Sequence, residues 1–248
     1  MPEVLNISAY KFVALPDAAQ LRTQLLESAT QVALKGTILL AEEGINLFLA
    51  GTESSIRFFL DELREDPRFA DLRPKESWSD TVPFRHLRVK RKNEIIRMNH
   101  PAIQPAQGRA PAVDATTLKR WLDEGHDDVG KPVVLLDTRN AFEVDHGTFD
   151  NAIDWRLGKF SDFPQALQDH RAELEGRCVV SFCTGGIRCE KAALVMREAG
   201  LQDVWQLEGG ILQYFEQAGS AHFHGECFVF DERQALAADL RPTDEPRS

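Results

Sequence analysis

The 248-residue sequence lacks several features that would define its class at once. No stretch approaches the ~18 consecutive apolar residues of a membrane-spanning helix, and the N-terminal segment has no basic region followed by an apolar run. Its four cysteines are too few for a disulfide framework in a chain of this length. These absences argue against a secreted or membrane protein, and they predict a cytoplasmic protein with no membrane partner.

The sequence also lacks positive charge overall, because its formal net charge is −10. Taken whole, such a chain is a poor candidate for binding nucleic acid. The acidity is unevenly distributed, however. Residues 1–98 hold 14 Lys and Arg against 14 Asp and Glu, whereas residues 99–248 hold 15 against 25. The first half of the chain can therefore still present a locally basic surface.

Six Lys and Arg against a single Glu lie between residues 85 and 97. Basic segments of this kind bind phosphate backbones, although a strand edge protected by charge is the alternative interpretation. We predict phosphate contact for five of these residues, which are named here the basic strip: Arg85, Arg88, Lys90, Arg91 and Lys92.

Length and composition indicate about two folded domains. Residues 99–113 contain three prolines and a glycine without apolar periodicity, which is typical of a linker. We therefore predict a first domain over residues 1–98, a linker over 99–115, a second domain over 116–220 and a C-terminal extension over 221–248.

The two halves show different patterns of secondary structure. Strand and helix signals in the first half follow the order βαββαβ, with one more strand near residues 93–98, which predicts a ferredoxin-like α+β domain. In the second half, apolar strands such as Cys178–Phe182 alternate with amphipathic helices. This alternation predicts a doubly wound parallel α/β sheet, in which sites lie at the carboxyl ends of strands.

The loop after strand 178–182 carries the strongest chemical signal. Its residues are Cys183, Thr184, Gly185, Gly186, Ile187, Arg188 and Cys189, and a helix follows. Paired glycines allow backbone N–H groups to converge, and the helix N-terminus and Arg188 add positive charge. This arrangement lowers the pKa of a cysteine thiol and activates it as a nucleophile, so we predict Cys183 and Arg188 as catalytic residues.

The loop resembles the active-site loop of rhodanese domains. The segment that begins Asp137-Thr138-Arg139 and the turn Leu207-Glu208-Gly209-Gly210-Ile211 are similar to two further rhodanese signatures, in the expected order. Asp137 and Arg139 are therefore predicted to support the loop, or simply to form an ion pair. Four residues separate Cys183 from Arg188, which is the short loop of sulfur-handling rhodaneses rather than the longer phosphatase loop.

Over about residues 4–233 the chain resembles the bacterial tRNA uridine hydroxylase family. The resemblance rests on CTGGIRCEKAA, the hairpin GTILLAEEGIN, the N-terminal βαββαβ module and CFVFDER. It implies O2-dependent conversion of the wobble uridine 34 of tRNA to 5-hydroxyuridine, with Cys183 required and the anticodon region of tRNA bound. Longer relatives have a Cys-rich tail, so a function of that tail is expected to be absent here or supplied otherwise.

Two other functions remain open at this point. The Cys183 loop alone would equally suit a thiosulfate-type sulfurtransferase, and a non-catalytic tRNA-binding module is the third interpretation. No dinucleotide, flavin or iron-ligand motif is evident, so we expect no cofactor besides O2 as co-substrate. His222, His224, Glu226 and Cys227 are metal-ligand types, but one short cluster lacks a second ligand pair, and no metal site is predicted.

Overall fold

The structure, a computed structural model, describes residues 4–243. Residues 1–3 of the predicted first domain and residues 244–248 of the predicted extension lie outside this range. The described chain divides into two compact units. The first contains the residues up to Arg97 together with Phe230–Arg233, and the second contains the remainder.

The first unit is a five-stranded sheet with two helices. Its elements are β1 (Val4–Phe12), α1 (Ala18–Gln31), β2 (Lys35–Ala41), β3 (Gly44–Thr52), α2 (Glu53–Arg64), β4 (Lys75–Ser79) and β5 (Leu87–Arg91), with a 3-10 turn at Pro67–Phe69. The strand order is β4-β1-β3-β2-β5, and only β5 runs parallel to its neighbour. The predicted ferredoxin-like fold is confirmed, and its fifth strand is β5.

Helix α2 shows how the sequence specifies this unit. The Thr52 side chain accepts a hydrogen bond from the Ser55 N–H at 3.2 Å, which caps the first turn. Buried apolar residues then recur at helical spacing and join one core with the sheet: Ile56, Phe59, Leu60 and Leu63.

The prediction of a strand near residues 93–98 is wrong, because the structure has no strand there. This segment is irregular and is held by side chains of the neighbouring hairpin. The Ile95 N–H donates to the Glu43 carboxylate at 2.7 Å, and the Asn46 side chain donates to the Ile95 carbonyl at 3.4 Å. Its apolar residues Ile95 and Met98 are buried, so the apolar signal reported burial rather than strand pairing.

The second unit is built on a five-stranded, wholly parallel sheet. Its helices are α3 (Ala115–Glu124), α4 (Ala141–Val144), α5 (Phe163–His170), α6 (Ile187–Glu198) and α7 (Gly210–Ala218). Its strands are β6 (Ala112–Val113), β7 (Val133–Asp137), β8 (Gly147–Phe149), β9 (Ile153–Asp154), β10 (Cys178–Phe182), β11 (Val204–Leu207), β12 (Phe223–Gly225), β13 (Cys227–Phe228) and β14 (Ala235–Leu236). Single 3-10 turns lie at Pro105–Gln107, Phe160–Asp162 and Arg171–Leu174.

The order of the parallel sheet is β6-β11-β10-β7-β9, which confirms the predicted parallel α/β architecture. Alternate residues of β10, namely Cys178, Val180 and Phe182, share a core with α3 and α7. Helix α6 packs on β10 and β11, and α5 packs on α6. Because side chains alternate along a strand, Val179 and Ser181 point to the opposite face. The central strand β10 is therefore fully buried, and its carboxyl end opens into the Cys183 loop.

Part of the segment predicted as a linker, 99–115, is structured within the second unit. Strand β6 pairs with β11, and the Gln206 side chain donates to the Ala110 carbonyl at 3.1 Å. A two-residue strand is too short to show periodicity in the sequence. Within residues 4–243, no helix has the length and apolar character needed to cross a membrane.

Candidate active site

The Cys183 loop begins where β10 ends, and it leads directly into α6. Gly186 immediately precedes the helix with φ of 97°, a left-handed conformation that favours glycine. This turn directs its N–H to the Cys183 Sγ at 3.1 Å. Helix α6 starts at Ile187, inside the segment predicted as a loop, so Arg188 and Cys189 lie in its first turn. The predicted loop residues therefore divide into a turn, 183–186, and the first turn of α6, which holds Ile187, Arg188 and Cys189.

The Cys183 thiol is fully buried, and its surroundings favour the thiolate. Burial alone would raise its pKa, but the Cys189 S–H, the Arg188 guanidinium and the backbone N–H groups of Arg188 and Cys189 lower the pKa of Cys183 to about 5. Burial and the neighbouring Cys183 raise the pKa of Cys189 well above its ordinary value. Cys183 is therefore the thiolate of the pair, and Cys189 is a neutral hydrogen-bond donor.

Arg188 is held in place by a buried ion pair with Glu143 of α4. Its two terminal nitrogens donate to the two carboxylate oxygens of Glu143 at 2.5 and 2.7 Å. The exposed fractions of the two side chains are only 6% and 0%. Burial would lower the pKa of Arg188, but the Glu143 carboxylate outweighs burial and raises it. Arg188 is therefore a fixed positive charge beside Cys183.

Sequence reasoning assigned no role to Glu143. The structure shows that it also caps α4, because its carboxylate accepts the Asn140 N–H at 3.0 Å. The signal was present as a capping box, with Asn140 and Glu143 three residues apart. A capping box does not reveal, however, that the same carboxylate binds an arginine 45 residues later in the chain.

Asp137 and Arg139 form a second buried pair at the end of β7. Arg139 donates to the Asp137 carboxylate at 2.7 Å and to the Gly147 carbonyl at 2.7 Å. Thr148 donates to the same carboxylate at 2.8 Å. Thr138, which lies between Asp137 and Arg139 in the sequence, donates its hydroxyl to the Phe182 carbonyl at 2.8 Å. The Thr138 bond joins the ends of β7 and β10, where the Cys183 loop departs, and the Asp137–Arg139 pair connects the end of β7 to β8.

The glycine turn before α7, at Gly209 and Gly210, holds the Cys183 loop through backbone hydrogen bonds. The N–H groups of Ile211 and Leu212 donate to the carbonyls of Cys183 and Thr184 at 2.9 and 3.1 Å. Gly210 has φ of 67°, and a Cβ at this position would lie 2.4 Å from the Cys183 carbonyl oxygen. Only glycine permits this approach, which explains why the turn and the loop occur together in the sequence pattern.

The segment after α7 also contacts the loop, which the sequence did not predict. The Thr184 hydroxyl donates to the Phe228 carbonyl at 3.4 Å. Cys227 is buried beside it, and burial raises the pKa of its thiol to about 12, so the thiol is neutral near neutral pH. His222 pairs with Asp123 and His224 with Asp150. Among the described residues, no cluster of three His, Cys, Asp or Glu could hold a metal ion.

The basic strip lies in the first unit, on and beside the edge strand β5. All five of its residues are exposed. Arg88 and Lys90 alternate with the buried Val89, so they project from the face opposite the helices. Arg85 pairs with Glu232 and Arg91 with Glu42, and both pairs are largely exposed. The sequence-predicted site residues thus form two groups, one in each unit.

Comparisons with known proteins agree with this arrangement. A family model described as a UPF0176 acylphosphatase like domain matches residues 4–95, and a rhodanese-like domain model matches residues 114–217. The tRNA uridine(34) hydroxylase of Variovorax paradoxus (strain S110) is 66% identical over 240 residues, which cover 97% of this chain and 91% of the relative.

Two further relatives carry the same name. That of Delftia acidovorans is 64% identical and covers 98% of this chain and 92% of its own length. That of Bordetella pertussis is 62% identical, with coverage of 98% and 99%. The resemblance inferred from the sequence is confirmed, and the chain belongs to the tRNA uridine(34) hydroxylase family.

Proposed function

We propose that this chain hydroxylates uridine 34 in the anticodon region of tRNA to 5-hydroxyuridine, with O2 as co-substrate and Cys183 as the nucleophile. The observation that carries the proposal is the Cys183 thiolate, with its pKa lowered to about 5 beside the fixed charge of Arg188, in a chain of this family. The reaction needs a nucleophile of this kind, because C5 of uracil has little reactivity by itself.

The proposed route begins with addition of the Cys183 Sγ to C6 of the uracil ring. The C5–C6 π electrons move to O4, so the ring becomes an enolate that is nucleophilic at C5. One oxygen atom of O2 then bonds to C5, while the other leaves as water with two electrons and two protons from a reductant. Loss of the C5 proton and departure of the thiolate restore the C5–C6 double bond and release the product.

Each residue of the site has a role in this route. The amides of the loop and Arg188 hold the thiolate before addition and receive it again after elimination. Glu143 keeps the guanidinium in position, and Asp137 and Arg139 hold the end of β7, the strand next to β10. Because Cys183 has no exposed surface, substrate entry requires the segments around the loop to move.

The basic strip supplies the proposed contact with tRNA. Its five residues are exposed on and beside an edge strand, and a surface of this kind attracts phosphates without reading sequence. The target base must leave its stack to reach a protein thiol, as bases in RNA loops do at low cost. An anticodon loop provides both an accessible base and a closely spaced run of phosphates.

Nucleoside mass spectrometry of bulk tRNA tests the function. Cells without the gene should lose 5-hydroxyuridine and its derivatives, and wild-type protein should restore them while Cys183→Ser should not. Unchanged tRNA nucleosides, together with cyanide-trappable transfer of sulfur from thiosulfate, would replace hydroxylation by sulfurtransferase activity. The amide cradle also suits that alternative, because it would hold a persulfide on Cys183 as well as a thiolate.

A second experiment separates addition from oxygen or sulfur transfer through Cys183. With 5-fluorouridine at position 34, C5 carries no proton to lose, so addition of Cys183 should leave a covalent protein–tRNA adduct. If no adduct forms during turnover, the rival route gains support, in which Cys183 carries a sulfenate or persulfide and Cys189 resolves it.

A further inference from the structure

Three aromatic side chains lie together beside the Cys183 loop, and none of them has a role in the route above. Phe142 of α4 meets Phe228 of β13 edge to face, with 5.2 Å between ring centroids. The His146 ring lies 5.2 Å from Phe228 at a tilt of 48°. We name Phe142, Phe228 and His146 the aromatic rim.

The rim is connected to the loop on two sides. The Phe228 carbonyl accepts the hydroxyl of Thr184, the residue that follows Cys183. Phe142 directly precedes Glu143, whose carboxylate holds Arg188. All of these residues belong to the second unit. The position of the rim relative to Cys183 is thus set by the same contacts that hold the loop.

Phe142 is 47% exposed although it is a large apolar side chain. An exposed aromatic ring contributes less hydrophobic stabilisation to the folded protein than a buried one. The edge-to-face contact with Phe228 orients the ring, and the exposed part of its surface is accessible to a flat ligand. Unstacked bases in single-stranded RNA bind proteins by stacking on such rings.

We propose that Phe142, oriented by Phe228, is the surface on which the uracil of nucleotide 34 stacks as it approaches Cys183. This inference rests on the proposed function and adds to it the group that receives the unstacked base. Stacking on the ring replaces the base neighbours that uracil leaves behind in the anticodon stack, and it keeps the uracil flat at the entrance to the loop. His146 packs on Phe228 and limits the orientations of that ring.

The test compares Phe142→Leu with Phe142→Trp in full-length protein on tRNA. Leu keeps an apolar side chain without a π face, whereas Trp keeps the face. We expect Phe142→Leu to lower kcat/KM for hydroxylation about 10-fold, mainly through KM, and Phe142→Trp to stay within about 3-fold of wild type. Phe58→Leu is the matched control, because Phe58 is 52% exposed on α2 in the first unit.

A binding measurement makes the test independent of turnover. Pyrrolocytidine is a fluorescent pyrimidine that is quenched by stacking, and it can replace uridine 34 in an anticodon stem-loop. Wild type, Phe142→Trp and Phe58→Leu should change its emission alike on binding, and Phe142→Leu should not. The inference is overturned if Phe142→Leu matches wild type, or if the Leu and Trp variants are equally impaired. Absence of hydroxylation by wild type would instead reject the proposed function.

Discussion

Charged side chains are buried in fixed pairs around the Cys183 loop of one unit and exposed to solvent on the basic strip of the other. Around the Cys183 loop, Arg188 and Arg139 are buried with Glu143 and Asp137, and their guanidinium groups are committed to fixed partners. On the basic strip the arginines and lysines are exposed, and the pairs that do form, such as Arg85 with Glu232, remain in water with exposed fractions of 82% and 52%. The same residue types are therefore rigid in one unit and available for other contacts in the other.

The difference follows from solvation. A buried ion pair cannot exchange its partner for water, so removing one member leaves an unpaired charge in a medium of low polarity. An exposed pair exchanges with water and salt at little cost. Buried pairs are thus suited to hold a thiolate at a fixed place, and exposed cations are suited to bind the phosphates of a substrate that arrives and leaves.

Breaking the buried pair should have the largest effect on stability. Glu143→Gln leaves Arg188 buried without its carboxylate partner, and we expect the free energy of unfolding to fall by about 3 kcal/mol. Urea denaturation measures it. The double variant Glu143→Leu with Arg188→Met removes both charges and should be more stable than Glu143→Gln, yet it should remain inactive. If Glu143→Gln lowered the free energy of unfolding by less than about 0.5 kcal/mol, the buried pair would be no stronger than an exposed pair.

Charge reversal on the basic strip should affect binding without affecting the fold. We expect Arg88→Glu, Lys90→Glu and Arg91→Glu together to weaken tRNA binding at least about 10-fold. They should also reduce the slope of log Kd against log salt by about 0.7 to 0.9 for each phosphate that the protein no longer binds. Filter binding at several salt concentrations measures both.

The matched control for the strip reverses three cations of the second unit, the half-buried Lys119 and the exposed Arg120 and Lys159. This variant should bind tRNA with nearly the wild-type salt dependence. Equal weakening by the two triple variants would mean that binding follows net charge rather than the basic strip.

The pH dependence of kcat/KM should reveal the hydrogen bond between the side chains of Cys183 and Cys189. With the pKa of Cys183 at about 5, kcat/KM should be level near neutral pH and fall as pH drops through that value, because the thiolate is the active form. Cys189→Ala removes a donor that lowers the pKa of Cys183, so the decline should begin at higher pH. Cys189→Ser keeps a donor and should restore the wild-type profile. An unchanged profile in Cys189→Ala would contradict the assigned hydrogen bond.

The smallest effect is expected at an exposed pair of the first unit. Arg85→Ala breaks the pair with Glu232, and the free energy of unfolding should change by about 0.5 kcal/mol or less. The same urea denaturation provides the comparison with Glu143→Gln. A cost approaching that of the buried pair would show that exposure does not decide the strength of these pairs.

The elements that the sequence predicted well are those with local signals. Strand β10 is apolar except for Ser181, and it occurs where predicted. Helix α2 has a cap and four apolar residues at helical spacing, and it fits the helix that the order βαββαβ places after the second and third strands. The short strands β8, β9, β12 and β13 have two or three residues each and were not predicted. Such strands exist only because distant backbone pairs with them, as Phe223 does with Phe149.

By itself, the sequence determined the order of the two domains, the Cys183 loop and the division of charge between the halves, because apolar periodicity, glycine spacing and charge are local properties of the chain. Only the tertiary structure decided that Glu143 holds Arg188, that Cys189 donates to Cys183, and that Phe228 meets both Thr184 and Phe142. These contacts join residues from different elements, and their strength depends on burial, which the packed fold alone establishes.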